Sequence, residues 1–168
     1  MDILELIKTR RSIRKYKLDP VSEEEINKIL EAGRWAPSAS NRQPWRFIVL
    51  RSEETKRKLA ETLTWGGFLS QAPLGIAVVI NPRASNHPVE DGAAATQNML
   101  LEAHSLGLGA CWIGAYGSAY EESAKKVLNV PDNDRLLSVI VIGRSAESPQ
   151  STRRKLDEIT FSDRYGRR

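Results

Sequence analysis

Two apolar runs limit the folds open to this chain more than any other feature. Leu74–Ile80 reads Leu-Gly-Ile-Ala-Val-Val-Ile, and Leu136–Gly143 is a second run of the same kind. A half-exposed strand alternates apolar with polar residues, whereas a short unbroken run marks a strand covered on both faces. A third, shorter strand is expected at Ala110–Gly114 and a fourth at Arg46–Leu50, where Pro44-Trp45-Arg46-Phe47 runs straight into Ile48-Val49-Leu50.

Helical periodicity fills the gaps between these strands. Ile3, Leu6 and Ile7 stand at i, i+3 and i+4, giving a short amphipathic helix that ends near Thr9. Val21-Ser22-Glu23-Glu24-Glu25-Ile26 is a strong helix start: Ser22 caps, Glu25 closes a capping box, and Val21 with Ile26 forms a hydrophobic staple. Ile26, Ile29, Leu30 and Gly33 then line one face. Glu53–Leu63 reads as a helix broken by Thr64-Trp65-Gly66-Gly67-Phe68, whose Trp65 and Phe68 are expected in a satellite of the core, the alternative being a substrate platform. Glu90–Ser105 has the strongest helical signal, with Ala93, Ala94, Ala95, Met99, Leu100, Leu101 and Ala103. A helix so apolar on most sides is buried centrally or in a subunit interface. Gly107-Leu108-Gly109 stops it, and Tyr120–Leu128 is a further helix, capped near Ser118.

At 168 residues and 40% hydrophobic, the chain suits a single domain over residues 1–168. No stretch approaches the ~18 uninterrupted apolar residues of a membrane-spanning helix. The first residues carry acids and no long apolar run, so a soluble cytoplasmic protein without a signal peptide is expected. Cys111 is the single cysteine, which excludes an intrachain disulfide framework and a cysteine-based metal cluster. The net charge of +4 comes from the two ends: Lys8, Arg10, Arg11, Arg14, Lys15 and Lys17, then Arg153, Arg154, Lys155, Arg164, Arg167 and Arg168. Two short basic clusters suit a phosphate-bearing small molecule as well as a polyanion.

Two stretches are candidates for a binding site. Arg10-Arg11-Ser12-Ile13-Arg14 offers guanidinium forks around a hydroxyl, the donor set that a phosphate accepts from; its bland reading is a solvated basic face. Ala36–Phe47 holds Pro37 and Pro44, which exclude a helix, together with Ser38, Ser40, Asn41 and Gln43. Held between a well-capped helix and a strand, that loop is built to grip a polar planar ligand, or is simply a polar turn.

Side-chain chemistry is otherwise missing. Gly107-Leu-Gly-Ala-Cys-Trp fails the dinucleotide fingerprint because Trp112 fills the third glycine position. There is no phosphate loop and no Gly-x-Ser-x-Gly elbow. His87 and His104 sit in no metal-ligand pattern, and Cys111 lies inside an apolar strand. If the chain is an enzyme, a bound cofactor carries the reaction.

Three motifs now line up with a family. Arg10–Tyr16, Ala36–Phe47 and Gly107–Gly114, in that order and with the helix Asp91–Ala103 between the last two, resemble the FMN-dependent nitroreductase family over nearly the whole chain. The resemblance implies an α+β sandwich in which helices flank a mostly antiparallel central sheet, assembled as an intertwined homodimer with flavin sites at the interface. By matching position it implies that Arg10, Arg11, Ser12 and Arg14 grip the phosphate and ribityl chain. Pro37, Ser38, Ala39 and Asn41 match the segment that the partner subunit lends to the isoalloxazine ring. Ile113 and Gly114 match the place where a backbone amide approaches flavin N5, and Arg153 and Lys155 match the late basic pair that returns to the phosphate. It implies a ping-pong oxidoreductase moving hydride from NADH or NADPH through FMN to a small-molecule acceptor such as a nitroaromatic or quinone, with no catalytic side chain, no metal, no nucleic acid and no membrane. Longer members insert helical segments where this chain has only Asn81–Glu90, so a short lid is expected.

The rivals are a flavoenzyme on the same scaffold with another reaction (dehalogenation or flavin fragmentation), a flavin binder without turnover, and a basic module for nucleic acid. The last predicts steep salt dependence and no chromophore, and the basic clusters lack interleaved aromatics.

Overall fold

In the computed structural model, residues 2–167 are described, and the chain runs α1 (Ile3–Thr9), α2 (Glu23–Arg34), β1 (Trp45–Leu50), α3 (Glu53–Thr62), β2 (Leu74–Ile80), α4 (Pro88–Ser105), β3 (Gly109–Gly114), α5 (Glu121–Val127), β4 (Arg135–Gly143) and α6 (Leu156–Ile159). The four strands form one antiparallel sheet in the order β1-β2-β4-β3. The two apolar runs are its two central strands, and every residue of β2 is buried. Both faces are covered, as their composition requires. Ile76, Val78, Ile80, Ile140 and Ile142 meet Ile26, Ile29, Met99 and Leu100 of α2 and α4 on one side. Ala77, Val79, Val139 and Val141 meet Leu59, Leu63 and Ala124 on the other, beneath α3 and α5. Truncating a fully buried isoleucine such as Ile140 to alanine is worth about 2–5 kcal/mol in such a core.

The capping box at Ser22 forms as the sequence predicts, with Ser22 Oγ accepting from Glu25 N–H and the Glu25 carboxylate accepting from Ser22 N–H. α4 is the central helix. It lies against α2 and all four strands, and two glycines permit the close approach. A Cβ on Gly92 would stand 2.6 Å from both Ile80 and Leu137, and one on Gly33 would stand 2.9 Å from Met99. Gly107, with φ of 75°, turns the chain out of α4 where a side chain would be strained.

The sheet has one irregularity. Val78 pairs with Ser138 but Val79 with Leu136, so Leu137 is an extra residue in β4. The bulge points Leu137 and Ser138 toward the same layer: Leu137 packs under Gly92, and Ser138 Oγ lies 3.0 Å from Thr96 Oγ1 of α4. The freed Leu137 carbonyl accepts from both Ala115 N–H and Tyr116 N–H, which ends β3 at Gly114.

Two expectations are corrected. Trp65 is 83% exposed rather than core, because Gly66 packs in its place against Leu63 and Ile113; Phe68 alone joins the α3–α5 side. Ser118 does not cap α5. Its hydroxyl donates to the Ala115 carbonyl, and the helix starts after Tyr120 with no side-chain cap. The last helix, α6, has no signal in the periodicity and buries no residue.

Candidate flavin site

The basic segment after α1 lies along the free edge of β3. Ile13 N–H donates to the Ala110 carbonyl at 3.0 Å, and Ser12 bridges to Ala110 in parallel. Ile13 fits there because Gly109 has no side chain; a Cβ would come within 2.8 Å of it. On the other side the segment holds the chain leaving β4, through Lys15 with Ala146 and Lys17 with Arg144. Glu147 accepts from the Arg14 and Lys15 amides, at 2.6 and 3.2 Å. The Tyr16 hydroxyl donates toward the carbonyls of Ile13 and Val141. With its backbone satisfied in this way, the segment frees its arginine side chains for other partners.

Those arginines line two neighbouring cavities. The first, of about 240 Å³, brings Arg10, Arg11, Ser12 and Arg14 together with Gln150, Ser151 and Arg153. Basic residues from both ends of the chain therefore converge, at the cost of like-charge repulsion. Burial foremost, then Arg153 and Arg11, lower the pKa of Arg10. Arg11 gives Nη1 to the carbonyls of Lys8 and Arg10, but its buried Nε has no partner among the described residues. A buried unpaired donor beside clustered guanidinium groups is what a bound oxyanion would satisfy. Arg153 joins this cavity and Lys155 does not; Lys155 stands exposed at the start of α6.

The second cavity, about 230 Å³, is lined by Arg14, Cys111, Trp112, Ile113, Gly114 and Tyr120, with Trp65 and Phe68 at one side. Arg14 lines both cavities and so joins them. Gly114 is exposed, and a Cβ there would meet nothing within 4 Å, so its backbone is open to a flat ligand. Tyr120 Oη donates to the Gly114 carbonyl at 2.5 Å. Cys111 stays a thiol, since burial raises its pKa. Among the described residues no group of three or more His, Cys, Asp or Glu is placed to hold a metal.

The loop carrying Pro37, Ser38, Ala39 and Asn41 lines neither cavity. It is nonetheless rigidly built. Ser40, Asn41 and Gln43 all have left-handed φ, of 50°, 54° and 49°, a conformation costing about 1–2 kcal/mol for each such residue. Ser38 Oγ accepts from Gln43 N–H, and Ala39 N–H donates to the buried Asp91 carboxylate at 3.0 Å. Apart from Lys155, the site residues named from sequence thus fall into one group at the two cavities and a second group, in the loop, away from them.

Comparison with known proteins agrees with this geometry. The family model described as the nitroreductase family matches residues 7–66 and 60–144. A protein of Methanothermobacter thermautotrophicus, provisionally named an NADH dehydrogenase/NAD(P)H nitroreductase, is 44% identical over 153 residues, covering 89% of this chain and 80% of that one.

This chain belongs to the nitroreductase family.

Solved nitroreductase structures share its fold. An FMN-dependent nitroreductase from Clostridium difficile superposes with a TM-score of 0.92 at 31% identity, covering 97% of this chain and 100% of that one. A provisionally named nitroreductase from Desulfovibrio desulfuricans, solved in complex with FMN, superposes with a TM-score of 0.85 at 34% identity, covering 98% of both chains. The family resemblance and the α+β sandwich expected from the three motifs are therefore both found. Among the described residues no helix is long and apolar enough to cross a membrane. Asp91, Tyr120 and Glu147 are not named from sequence as site residues, and Trp65 only as the lesser alternative to core; of the three, only the acid in the first turn of α4 carries a local signal, as a helix-dipole partner.

Proposed function

We propose that this protein is an FMN-dependent oxidoreductase that draws electrons from NADH or NADPH and passes them to a small acceptor, a nitroaromatic or quinone, by a ping-pong mechanism. The observation that carries the reading is the convergence of Arg10, Arg11 and Arg153 on one cavity, with the buried Arg11 Nε left without a partner among the described residues. Bound FMN supplies the redox chemistry, accepting hydride and releasing it to the acceptor.

The chain's own residues bind and orient. Arg10, Arg11, Ser12 and Arg153 hold the phosphate by charge-assisted hydrogen bonds. Arg14, which lines both cavities, spans from the phosphate end to the ring end. Ile113 and Gly114 offer backbone at an open strand end, where no side chain blocks a ring. Fixed donors and positive charge beside the ring favour its reduced, anionic form without reorganisation, which is electrostatic preorganisation. The loop at Pro37, Ser38, Ala39 and Asn41 completes the site of a second copy, so the working unit is a homodimer. The exposed apolar side chains of α1, Ile3, Leu4 and Ile7, support an assembly larger than one chain. The short connection between β2 and α4 leaves the acceptor side open, which favours a permissive choice of acceptor.

The test is the visible absorbance of the purified protein, then anaerobic titration with NADH and NADPH. A flavin spectrum that bleaches supports the reading, and the better donor fixes the nicotinamide preference. No chromophore, even after FMN is added, overturns it. Sedimentation velocity tests the dimer.

A further inference from the structure

Asp91 is a buried carboxylate that lines neither cavity. Its Oδ1 accepts from Ala39 N–H at 3.0 Å and its Oδ2 from Ser85 Oγ at 2.6 Å, while Ser85 Oγ in turn accepts from His87 N–H at 3.1 Å. Both oxygens are thus committed to loops and neither to the core. The backbone beneath is fixed, because the next residue, Gly92, lies so close to the sheet that a Cβ would meet Ile80 and Leu137 at 2.6 Å. The loop exit is tied as well, with Asn81 N–H donating to the Pro44 carbonyl at 2.9 Å. Between these two anchors Ser40 and Asn41 are exposed in left-handed geometry. Strain of that kind persists only where the surroundings over-determine it. A loop strained, doubly anchored and turned to solvent has its use outside its own subunit.

We infer that Asp91 is the positioning residue for the flavin site of the partner subunit: through the Ala39 amide it references the loop at 37–43 to the sheet. The inference rests on the reading that this loop meets the partner's flavin. Asp91 touches neither the cofactor phosphate grip nor the Gly114 strand end, so it governs how the ring is held and not whether FMN binds.

The experiment uses the FMN-loaded dimer, with wild-type protein, Asp91→Ala and Asp91→Asn, and menadione as the quinone acceptor. Asp91→Ala is expected to keep FMN affinity within about threefold while kcat falls about tenfold or more, since a loop misplaced by an ångström costs that much in rate. The visible circular dichroism of the bound flavin changes with it. Asp91→Asn keeps an oxygen for the Ala39 amide and restores both kcat and the dichroism. A folded Asp91→Ala dimer with wild-type kcat and dichroism overturns the inference. If Asp91→Ala does not fold, Asp91→Glu, which keeps the charge and shifts the oxygens by one methylene, must show the same loss, and wild-type kcat in that variant overturns it equally. A wild-type protein that takes up no FMN sinks the flavin reading itself, and the Asp91 inference with it. A flavin-loaded wild type beside an unaffected variant sinks only the role of Asp91.

Discussion

The hydroxyl of Tyr120 donates to the carbonyl oxygen of Gly114 at 2.5 Å, pinning the last peptide of the edge strand to the first residue before α5. The same peptide is held from the far side by Ala115 N–H on the Leu137 carbonyl, the acceptor freed by the β4 bulge. Gly114 therefore keeps its orientation although no side chain of its own could hold it.

That arrangement predicts the behaviour of Tyr120→Phe. The ring remains to line the cavity, and water replaces the lost hydrogen bond at a half-exposed site, so the stability cost is about 1 kcal/mol and the fall in Tm about 2–4 °C. The Gly114 peptide gains freedom where the ring edge is proposed to lie. Stopped-flow reduction by NADH should slow about threefold to tenfold, with FMN content unchanged. A wild-type rate in the folded variant would remove Tyr120 from the site.

The arginine cluster predicts a split between apo- and holoprotein. Arg153→Ala removes a cation from the first cavity, so FMN should bind about tenfold to a hundredfold more weakly, the value of one or two charge-assisted hydrogen bonds. The apoprotein should lose nothing, because Arg153 helps to lower the Arg10 pKa by repulsion. Lys155→Ala should change FMN affinity little, since Lys155 stands outside the cavity. Fluorescence titration of FMN against the three proteins checks this; equal losses from Arg153 and Lys155 would mean that the late basic pair acts together.

Much of this site was legible in the sequence, for identifiable reasons. Ser22 and Glu25 are three residues apart, and a capping box is a local device, so it could be read directly. The uniform apolar runs of β2 and β4 announced burial on both faces without any knowledge of their neighbours. Arg10, Arg11 and Arg14 carried their charge in the open. What could not be read depends on contacts between distant residues. The Asp91–Ala39 bond joins a helix to a loop across the domain, and nothing local to either residue signals it. Trp65 looked like core because it is a tryptophan; only the packing of Gly66 against Leu63 and Ile113 excludes it. Ser118 had the chemistry of a cap and spends it on a turn instead.

His104 predicts how stability responds to acid. It sits in the last turn of α4 with Nε2 2.9 Å from Thr9 Oγ1, whose hydroxyl also donates to the Glu5 carbonyl. Burial foremost, then Arg10 and Arg11, lower its pKa. A histidine whose folded pKa lies below the unfolded value of about 6.5 contributes stability above that value. The contribution is lost as pH falls from there toward the folded pKa, because the unfolded chain takes up the proton first. Apoprotein Tm should therefore drop on acidification below about pH 6.5, and His104→Gln should flatten that slope. Loading with FMN should also flatten it, since a phosphate beside Arg10 and Arg11 offsets the repulsion that a protonated His104 meets. A slope unchanged by His104→Gln would assign the acid sensitivity elsewhere.

The packing of α4 on the sheet predicts opposite outcomes for two glycines. Alanine at Gly92 gains up to about 1 kcal/mol of helix propensity but drives a methyl to 2.6 Å from Ile80 and Leu137, both of them buried. Overpacking of a filled core costs about 1–3 kcal/mol, and displacement of the α4 start would also move Asp91. Gly92→Ala should therefore lower Tm by several degrees and depress kcat together. Gly67 offers the contrast: it lies in the turn before β2, a Cβ there would meet no atom within 4 Å, and its φ is not left-handed. Alanine there restricts only the unfolded chain, so Gly67→Ala should hold Tm or raise it by the equivalent of about 0.4–1 kcal/mol. Thermal melts of the two variants, run side by side, test whether close approach at the start of α4 is what ties the sheet to the loop; a tolerated Gly92→Ala with full activity would break that link.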